Sequence, residues 1–251
     1  METCKFCDKS KKLINSHIIP KCFYHNEKGV TINANFKAFE TSPQKMLIEK
    51  LFCENCDNSF SDLEKYAYAF FYKHIPENKE ECTIYGVDCY KVTDFDYIAL
   101  RKFLILMAYR VHLCSSIPFN LGEYGDIALD LLKNDSFDQN LFVPMLQKTE
   151  SEIVSVATMK ALNKAIFPFE KNILVINIAY YNVGIIQNIQ EFPTPQRVFN
   201  NMMFNKDQII IPIDASFDNT STLKPIFEIL SQPQNKAFLK RGVSKHKYIN
   251  K

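Results

Sequence analysis

Glycine is scarce in this 251-residue chain, and the motifs that several enzyme classes depend on are missing. The six glycines do not form a glycine-rich phosphate loop, so the sequence gives no sign of a nucleotide-binding loop. A nucleophile elbow, a His-Glu-x-x-His motif and internal repeats are also absent. These absences argue against P-loop hydrolases, α/β-hydrolases, zinc proteases with that motif and repeat proteins.

Long apolar runs and a strong net charge are missing as well. No run reaches the roughly 18 apolar residues that cross a bilayer, because residues 103–109 are too few and residues 173–186 are interrupted by asparagine. The formal charge of +2 produces no strong overall field toward nucleic acid. The first residues, Met-Glu-Thr-Cys-Lys, do not resemble an apolar signal segment. We therefore expect a cytoplasmic protein without a membrane span.

Cysteine, in contrast, is frequent, and half of the eight cysteines are paired in spacing. They form two Cys-x-x-Cys motifs, Cys4/Cys7 and Cys53/Cys56. In a reducing compartment such pairs favour metal over disulfides, and together they supply the four sulfurs of a closed zinc site. We predict that these four cysteines hold one structural Zn²⁺. The remaining thiols are expected to be buried or incidental; they are Cys22, Cys82, Cys89 and Cys114.

The segment between the two pairs, residues 8–52, is longer than the roughly 15–20 residues of a plain zinc ribbon, so we expect further structure inside the loop. His17 lies there between short apolar runs typical of a strand, and Pro20 ends the pairing because it lacks an N–H. After Cys56 the pattern becomes helical to about Lys73. Two strands, a zinc turn and a helix would direct His17 toward the start of the helix.

These residues resemble a known family. The resemblance is carried by the two cysteine pairs, by Ser-His-Ile-Ile-Pro at 16–20, by Glu-Lys-Leu-Phe before Cys53, by Asp57 and by Glu64. Together they resemble the zinc-bound HNH endonucleases, the ββα-metal nuclease group, and within it a four-cysteine bacterial branch. The resemblance covers residues 1–75. It implies an N-terminal ββα-metal module, phosphodiester hydrolysis in DNA more than in RNA, and a place among prokaryotic antiviral defence proteins.

The resemblance also implies roles for individual residues. His17 matches the general base that activates a water. A catalytic Mg²⁺ or Mn²⁺ would be held by Asp57 with Glu49 or Glu64. Ser16 stands where most members have an acidic residue, and the middle asparagine of the motif has no clear counterpart. Three interpretations of the site stay open: an active nuclease, a weakened or inactive nuclease that keeps the fold for binding nucleic acid, and a cysteine module that is only a scaffold. The rival function is a non-catalytic zinc module that recognises nucleic acid or another protein.

Residues 1–50 contain nine lysines and five acidic residues. This local excess suits a phosphate backbone, and we expect Lys11, Lys12 and Lys21 to contact nucleic acid. An ordinary solvated lysine surface is the alternative interpretation.

The rest of the chain is predicted to be a larger α+β domain, residues 95–251, that follows a charged linker at 76–94. We assign it substrate selection or contact with a protein partner. The expected elements are helices at 97–114, 124–133, 150–165 and 222–230, and strands at 173–179, 183–186 and 208–213, with a strand competing at 150–165. Within the cysteine loop, strands are expected at 22–24 and 30–36. The basic tail, 236–251, is a further candidate for nucleic-acid contact.

Overall fold

The computed structural model describes residues 2–24, 30–35, 38–43, 46–84, 87–117, 119–134, 141–148, 154–160, 172–188 and 203–213. The strands are β1 (Glu2–Thr3), β2 (Ser10–Lys11), β3 (Leu13–His17), β4 (Val30–Asn35), β5 (Ala38–Pro43), β6 (Ile48–Cys53), β7 (Glu80–Ile84), β8 (Val87–Val92), β9 (Leu141–Lys148), β10 (Ser155–Lys160), β11 (Asn172–Ile178), β12 (Tyr181–Asn188) and β13 (Ile209–Pro212). The α-helices are α1 (Glu54–Asn58), α2 (Ser61–Ala69), α3 (Ile75–Asn78), α4 (Tyr97–Leu113) and α5 (Tyr124–Lys133). This mixture of helices and strands confirms the α+β class.

The N-terminal part consists of short antiparallel strand pairs followed by helices. β1 pairs with β2, and β3 pairs with β6. The β4–β5 hairpin is inserted between β3 and β6, which places the expected extra structure inside the cysteine loop. α1 begins directly after β6, and α2 follows it. The local order is therefore strand, strand, helix.

The strand predicted at 22–24 is wrong. Residues Lys21–Phe23 form a single 3₁₀ turn after Pro20, closed by the Phe23 N–H, which donates to the Pro20 carbonyl at 3.0 Å. The Phe23 ring is fully buried and lies 5.7 Å from the Phe103 ring, centroid to centroid. Aromatic packing thus overrides the β propensity of these three residues.

The helix after the second cysteine pair extends past its predicted end at Lys73. A π-helical turn, Phe70–His74, joins α2 to α3, so that the helical backbone continues to Asn78. Pro76 lies just beyond this turn. Proline lacks an N–H and crowds the preceding turn, and a π-helical turn is one way in which a helix accommodates such a disruption.

α4 is the central buried helix, as predicted from its apolar stripe. Its residues from Leu100 to Val111 are almost all buried, and it packs against α2 and α5. The Asp96 carboxylate caps its first turn by accepting from the Ala99 N–H at 2.9 Å. No helix in the described part of the chain is both long and apolar enough to cross a membrane.

The later part of the chain contains two antiparallel sheets. One has the order β10-β11-β12-β9, and the other has the order β13-β8-β7. The strands predicted near 173–179, 183–186 and 208–213 correspond to β11, β12 and β13. The helix predicted at 150–165 is wrong where the structure describes it, because β10 is a strand paired along its length with β11. The predicted helix at 222–230 and the tail at 236–251 lie outside the described residues.

The predicted linker, 76–94, holds more structure than expected. It contains β7 and β8, and β8 also pairs with β13. One buried cluster includes Phe52 and Phe70 from before this segment together with Leu104 and Ile176 from after it. The division into domains at 76–94 stays a prediction about independent folding.

Replacing the capping residue of α4 tests the role of this helix in stability. For Asp96→Ala we expect the free energy of unfolding to fall by about 1 kcal/mol, because the Ala99 N–H loses its partner. Asp62→Ala is the control: Asp62 contacts only exposed Lys65 among its described partners, so its loss should change stability by less than about 0.5 kcal/mol. Urea unfolding followed by far-UV circular dichroism measures both. Equal losses in the two variants would contradict the prediction.

Candidate metal centre and histidine site

The first cysteine pair lies in the turn of the β1–β2 hairpin. The Cys4 N–H donates to the Lys9 carbonyl at 3.0 Å, and the Asp8 N–H donates back to the Cys4 carbonyl at 3.0 Å. Asp8 adopts a positive φ of 57°, a conformation that aspartate tolerates better than most residues. The turn therefore brings Cys4 and Cys7 to the same side of the hairpin end.

The second cysteine pair lies where β6 becomes α1. Cys53 is the last residue of β6, and Cys56 lies within α1. The two pairs are joined by backbone, since the Lys5 N–H donates to the Leu51 carbonyl at 3.1 Å. All four sulfurs consequently lie within 4.8 Å of one another.

This cluster fits a tetrahedral metal such as zinc. Zn–S bonds of about 2.3 Å imply sulfur–sulfur separations of about 3.8 Å, within the observed spread. The Cys53 N–H donates to the Cys4 sulfur at 3.3 Å. Burial raises the pKa of the Cys4 thiol. Hydrogen bonds from the backbone N–H groups of Cys7, Cys53 and Phe6 lower the pKa by more than burial raises it, so that it falls to about 6. A thiolate is the form of cysteine that binds metal.

His17 is the last residue of β3 and is half-buried. It lies opposite Ile48 in the strand pair, and the Ile48 side chain is 45% exposed. Opposed residues in antiparallel strands share one face, so His17 borders an accessible surface. Burial lowers the pKa of the His17 ring below its usual 6.5, and Asp57 opposes this shift while Arg110 reinforces it. The ring is therefore neutral near pH 7 and able to accept a proton.

Two of the predicted acidic residues meet at one arginine. The Glu64 Oε1 atom accepts from the Arg110 Nη1 atom at 2.6 Å, and the Asp57 Oδ1 atom lies 3.6 Å from Nη2. The Asp57 Oδ1 atom is buried and has no hydrogen-bond partner among the described residues. Both carboxylates act electrostatically on His17. Asp57, Glu64 and His17 are therefore candidates for one site.

Glu49 lies elsewhere. It is opposite Ser16 rather than His17 in the strand pair, and successive strand residues face opposite sides. Its Oε2 atom accepts from the Ser115 N–H at 2.8 Å. Ser16 is fully buried, and its hydroxyl has no hydrogen-bond partner in the described part of the chain. The structure thus separates Ser16 and Glu49 from the His17 face.

The three lysines predicted to contact nucleic acid also lie in two different places. Lys21, in the turn after β3, is exposed and acts electrostatically on His17. Lys11 lies in β2 opposite Glu2, and Lys12 follows it. Lys11 and Lys12 belong to the cysteine hairpin, so of the three predicted lysines Lys21 is the one that acts on the histidine.

Arg110 is a site residue that the sequence analysis missed. It is 1% exposed, and its guanidinium lies over the rings of Phe52 and Phe60, 5.9 Å and 5.5 Å from their centroids. The sequence feature that could have identified Arg110 is its position as a charged residue within an otherwise apolar helix. A buried charge requires an opposite partner, so Arg110 implied a carboxylate somewhere in the packed structure.

Comparison with protein-family models, with curated proteins and with solved structures found no significant match to this chain. The cysteine cluster is the one group of three or more histidine, cysteine or acidic residues among the described residues whose ligand atoms gather closely enough for a metal. The His17 site is therefore a looser assembly than the cysteine cluster.

Removing one thiol tests the metal centre. For Cys7→Ser we expect the zinc content to fall by about one ion per chain. The zinc affinity should fall by more than about 100-fold, because loss of a residue that only supports a metal ligand already lowers metal affinity 10–100-fold. The matched control is Cys82→Ser, a half-buried thiol outside the cluster. Zinc content after dialysis is measured by mass spectrometry, and affinity by competition with a coloured chelator. Equal zinc retention by the two variants would contradict a four-cysteine site.

Proposed function

We propose that this protein is a zinc-stabilised, metal-dependent endonuclease of the HNH type that hydrolyses phosphodiester bonds, in DNA more than in RNA. One observation carries the proposal. His17 ends the first strand of a strand–strand–helix unit whose turns meet at four cysteines. Burial lowers the pKa of its ring, and two carboxylates from the helical segment oppose that shift. This is the arrangement that the motif resemblance implies.

His17 is proposed as the general base. Its lowered pKa keeps the ring unprotonated near pH 7, which is the form that removes a proton from an attacking water. Ile48 beside it is exposed, so a nucleic acid backbone has access to this face. Lys21 supplies a positive charge for a phosphate group.

Asp57 and Glu64 are the residues that would hold a catalytic divalent ion, and Glu49 is left out because it faces Ser115. Carboxylate oxygens suit Mg²⁺ and Mn²⁺, and the Asp57 Oδ1 atom accepts no hydrogen bond from the described residues, although it lies 3.6 Å from the Arg110 Nη2 atom. When bound, such an ion supplies charge stabilisation for the scissile phosphate. The chain itself contributes the base, the ligand oxygens and the lysine.

A second function is favoured by one specific observation. Arg110 already contacts both carboxylates, and a guanidinium in that position opposes a divalent cation electrostatically. The rival proposal is a non-catalytic zinc module that binds nucleic acid or a protein partner. Binding without cleavage distinguishes it from the nuclease.

Cleavage of nucleic acid by the purified full-length chain tests the nuclease proposal. We expect nicking of supercoiled plasmid in Mg²⁺ or Mn²⁺, and a rate lowered 10²–10⁴-fold in His17→Ala, the usual contribution of a general base. The divalent ion is omitted rather than chelated in the blank reaction, because a chelator would also remove zinc. A duplex DNA and a single-stranded RNA of the same sequence report substrate preference.

His74→Ala is the matched control for that experiment. The His74 ring contacts the Thr93 carbonyl and Asn78 in the helical turn, so the variant should cut at the wild-type rate. Equal cutting by wild type and His17→Ala would remove the histidine from the mechanism. Absence of cutting, with duplex binding retained in fluorescence anisotropy, would reject the nuclease in favour of the non-catalytic module.

A further inference from the structure

Arg110 enters the His17 site from outside the N-terminal segment. It belongs to α4, whereas Asp57 and Glu64 belong to α1 and α2. The side chain of Arg110 is 2% exposed, and those of Asp57 and Glu64 are 20% and 23% exposed. The carboxylates therefore reach the surface of the site while the guanidinium lies beneath them.

Burial makes this contact obligatory rather than incidental. Arginine keeps its charge in proteins, and a buried charge without a partner is strongly destabilising. The rings of Phe52 and Phe60 flank the guanidinium, which excludes water and adds a cation–π attraction. The two carboxylates are the partners that the structure offers, so Arg110 restricts where they lie.

The contact of Arg110 with Asp57 and Glu64 also spans the junction between α1 and α2. Asp57 and Glu64 are linked through Phe60, whose N–H donates to the Asp57 carbonyl and whose carbonyl accepts from the Glu64 N–H. One planar guanidinium that contacts both side chains sets their separation as well as their orientation. The neighbouring residue Tyr109 donates its hydroxyl to the Lys5 carbonyl at 2.8 Å. α4 thus holds the cysteine turn and the acidic pair through adjacent residues.

We propose that Arg110 is a positioning residue of the His17 site: it fixes Asp57 and Glu64 relative to each other and to the histidine, without contacting the substrate. This inference rests on the proposed nuclease function for its kinetic consequence. It implies that the site is incomplete without α4. Misplacement of catalytic groups by about 1 Å is enough to lower rates roughly 100-fold.

The helix provides a matched control in Arg101. It is also 1% exposed, and its guanidinium donates to the Tyr97 hydroxyl at 3.0 Å. Arg101→Met therefore removes a buried arginine from the same helix without removing the contacts to Asp57 and Glu64. Arg110→Lys keeps the charge but loses the planar fork that contacts two carboxylates.

The experiment compares Arg110→Met, Arg110→Lys and Arg101→Met in the full-length, zinc-loaded protein. For Arg110→Met we expect kcat for a duplex substrate to fall about 100-fold, with KM changed by less than about twofold because the residue is buried. Arg110→Lys should recover the melting temperature more fully than it recovers kcat. Hydrogen–deuterium exchange in residues 54–64 should rise in Arg110→Met but not in Arg101→Met.

Each outcome decides a separate question. If Arg110→Met matches Arg101→Met in kcat and in exchange at 54–64, the positioning role is wrong. A raised KM with unchanged kcat would also overturn it, because that result means substrate contact. If the wild-type protein cleaves nothing, the nuclease proposal fails on its own. The exchange measurement then still decides whether Arg110 fixes the acidic pair.

Discussion

The meeting of two cysteine turns, 49 residues apart along the chain, is the constraint on which the N-terminal structure depends. The strands that flank these turns are short: β1 and β2 have two residues each, and β3 has five. Strand pairs of this size are not stable alone in water. A cross-link that closes a loop of about 50 residues restricts the unfolded chain by about 4 kcal/mol, which is a large share of a typical stability of about 5–15 kcal/mol. A metal held by the four thiols would supply such a cross-link.

Aromatic packing connects the cysteine turns to α4. Phe6, from the first turn, contacts Phe52 and Phe60 edge-on, at centroid distances of 6.2 Å and 5.0 Å. The same two rings flank Arg110. The aromatic cluster thereby joins the thiol cluster on one side to the acidic pair on the other. The members of this cluster come from segments distant in sequence, so α4 contacts both the cysteine turn and the acidic pair.

What the sequence could predict followed from short, repeated patterns. The two Cys-x-x-Cys spacings indicated the thiol cluster, and the apolar stripe from Tyr97 onward indicated the buried helix. What it could not predict depended on long-range partners. Val154, Val156 and Thr158 suit either element by periodicity, and pairing with β11 selects the strand at β10. Glu49 is nearby in sequence to the second cysteine pair, yet strand alternation places it with Ser16, away from His17. The pairing of Arg110 with Asp57 and Glu64 joins residues 46 and more positions apart, which no local pattern encodes.

The balance of charge around His17 explains how the proposed nuclease could function without an acid at position 16. Ser16 lies on the buried face of the strand, where an ionised side chain would be costly to desolvate. The negative charge at the site comes instead from Asp57 and Glu64, and Arg110 cancels one of the two. Lys21 adds a second positive charge near His17. A site whose carboxylates are balanced in this way attracts a divalent cation less strongly than two unpaired carboxylates would, so the proposed ion would depend on phosphate oxygens of the substrate for its remaining ligands. In this arrangement the contacts of Arg110 order the two neighbouring carboxylates while no substrate is bound.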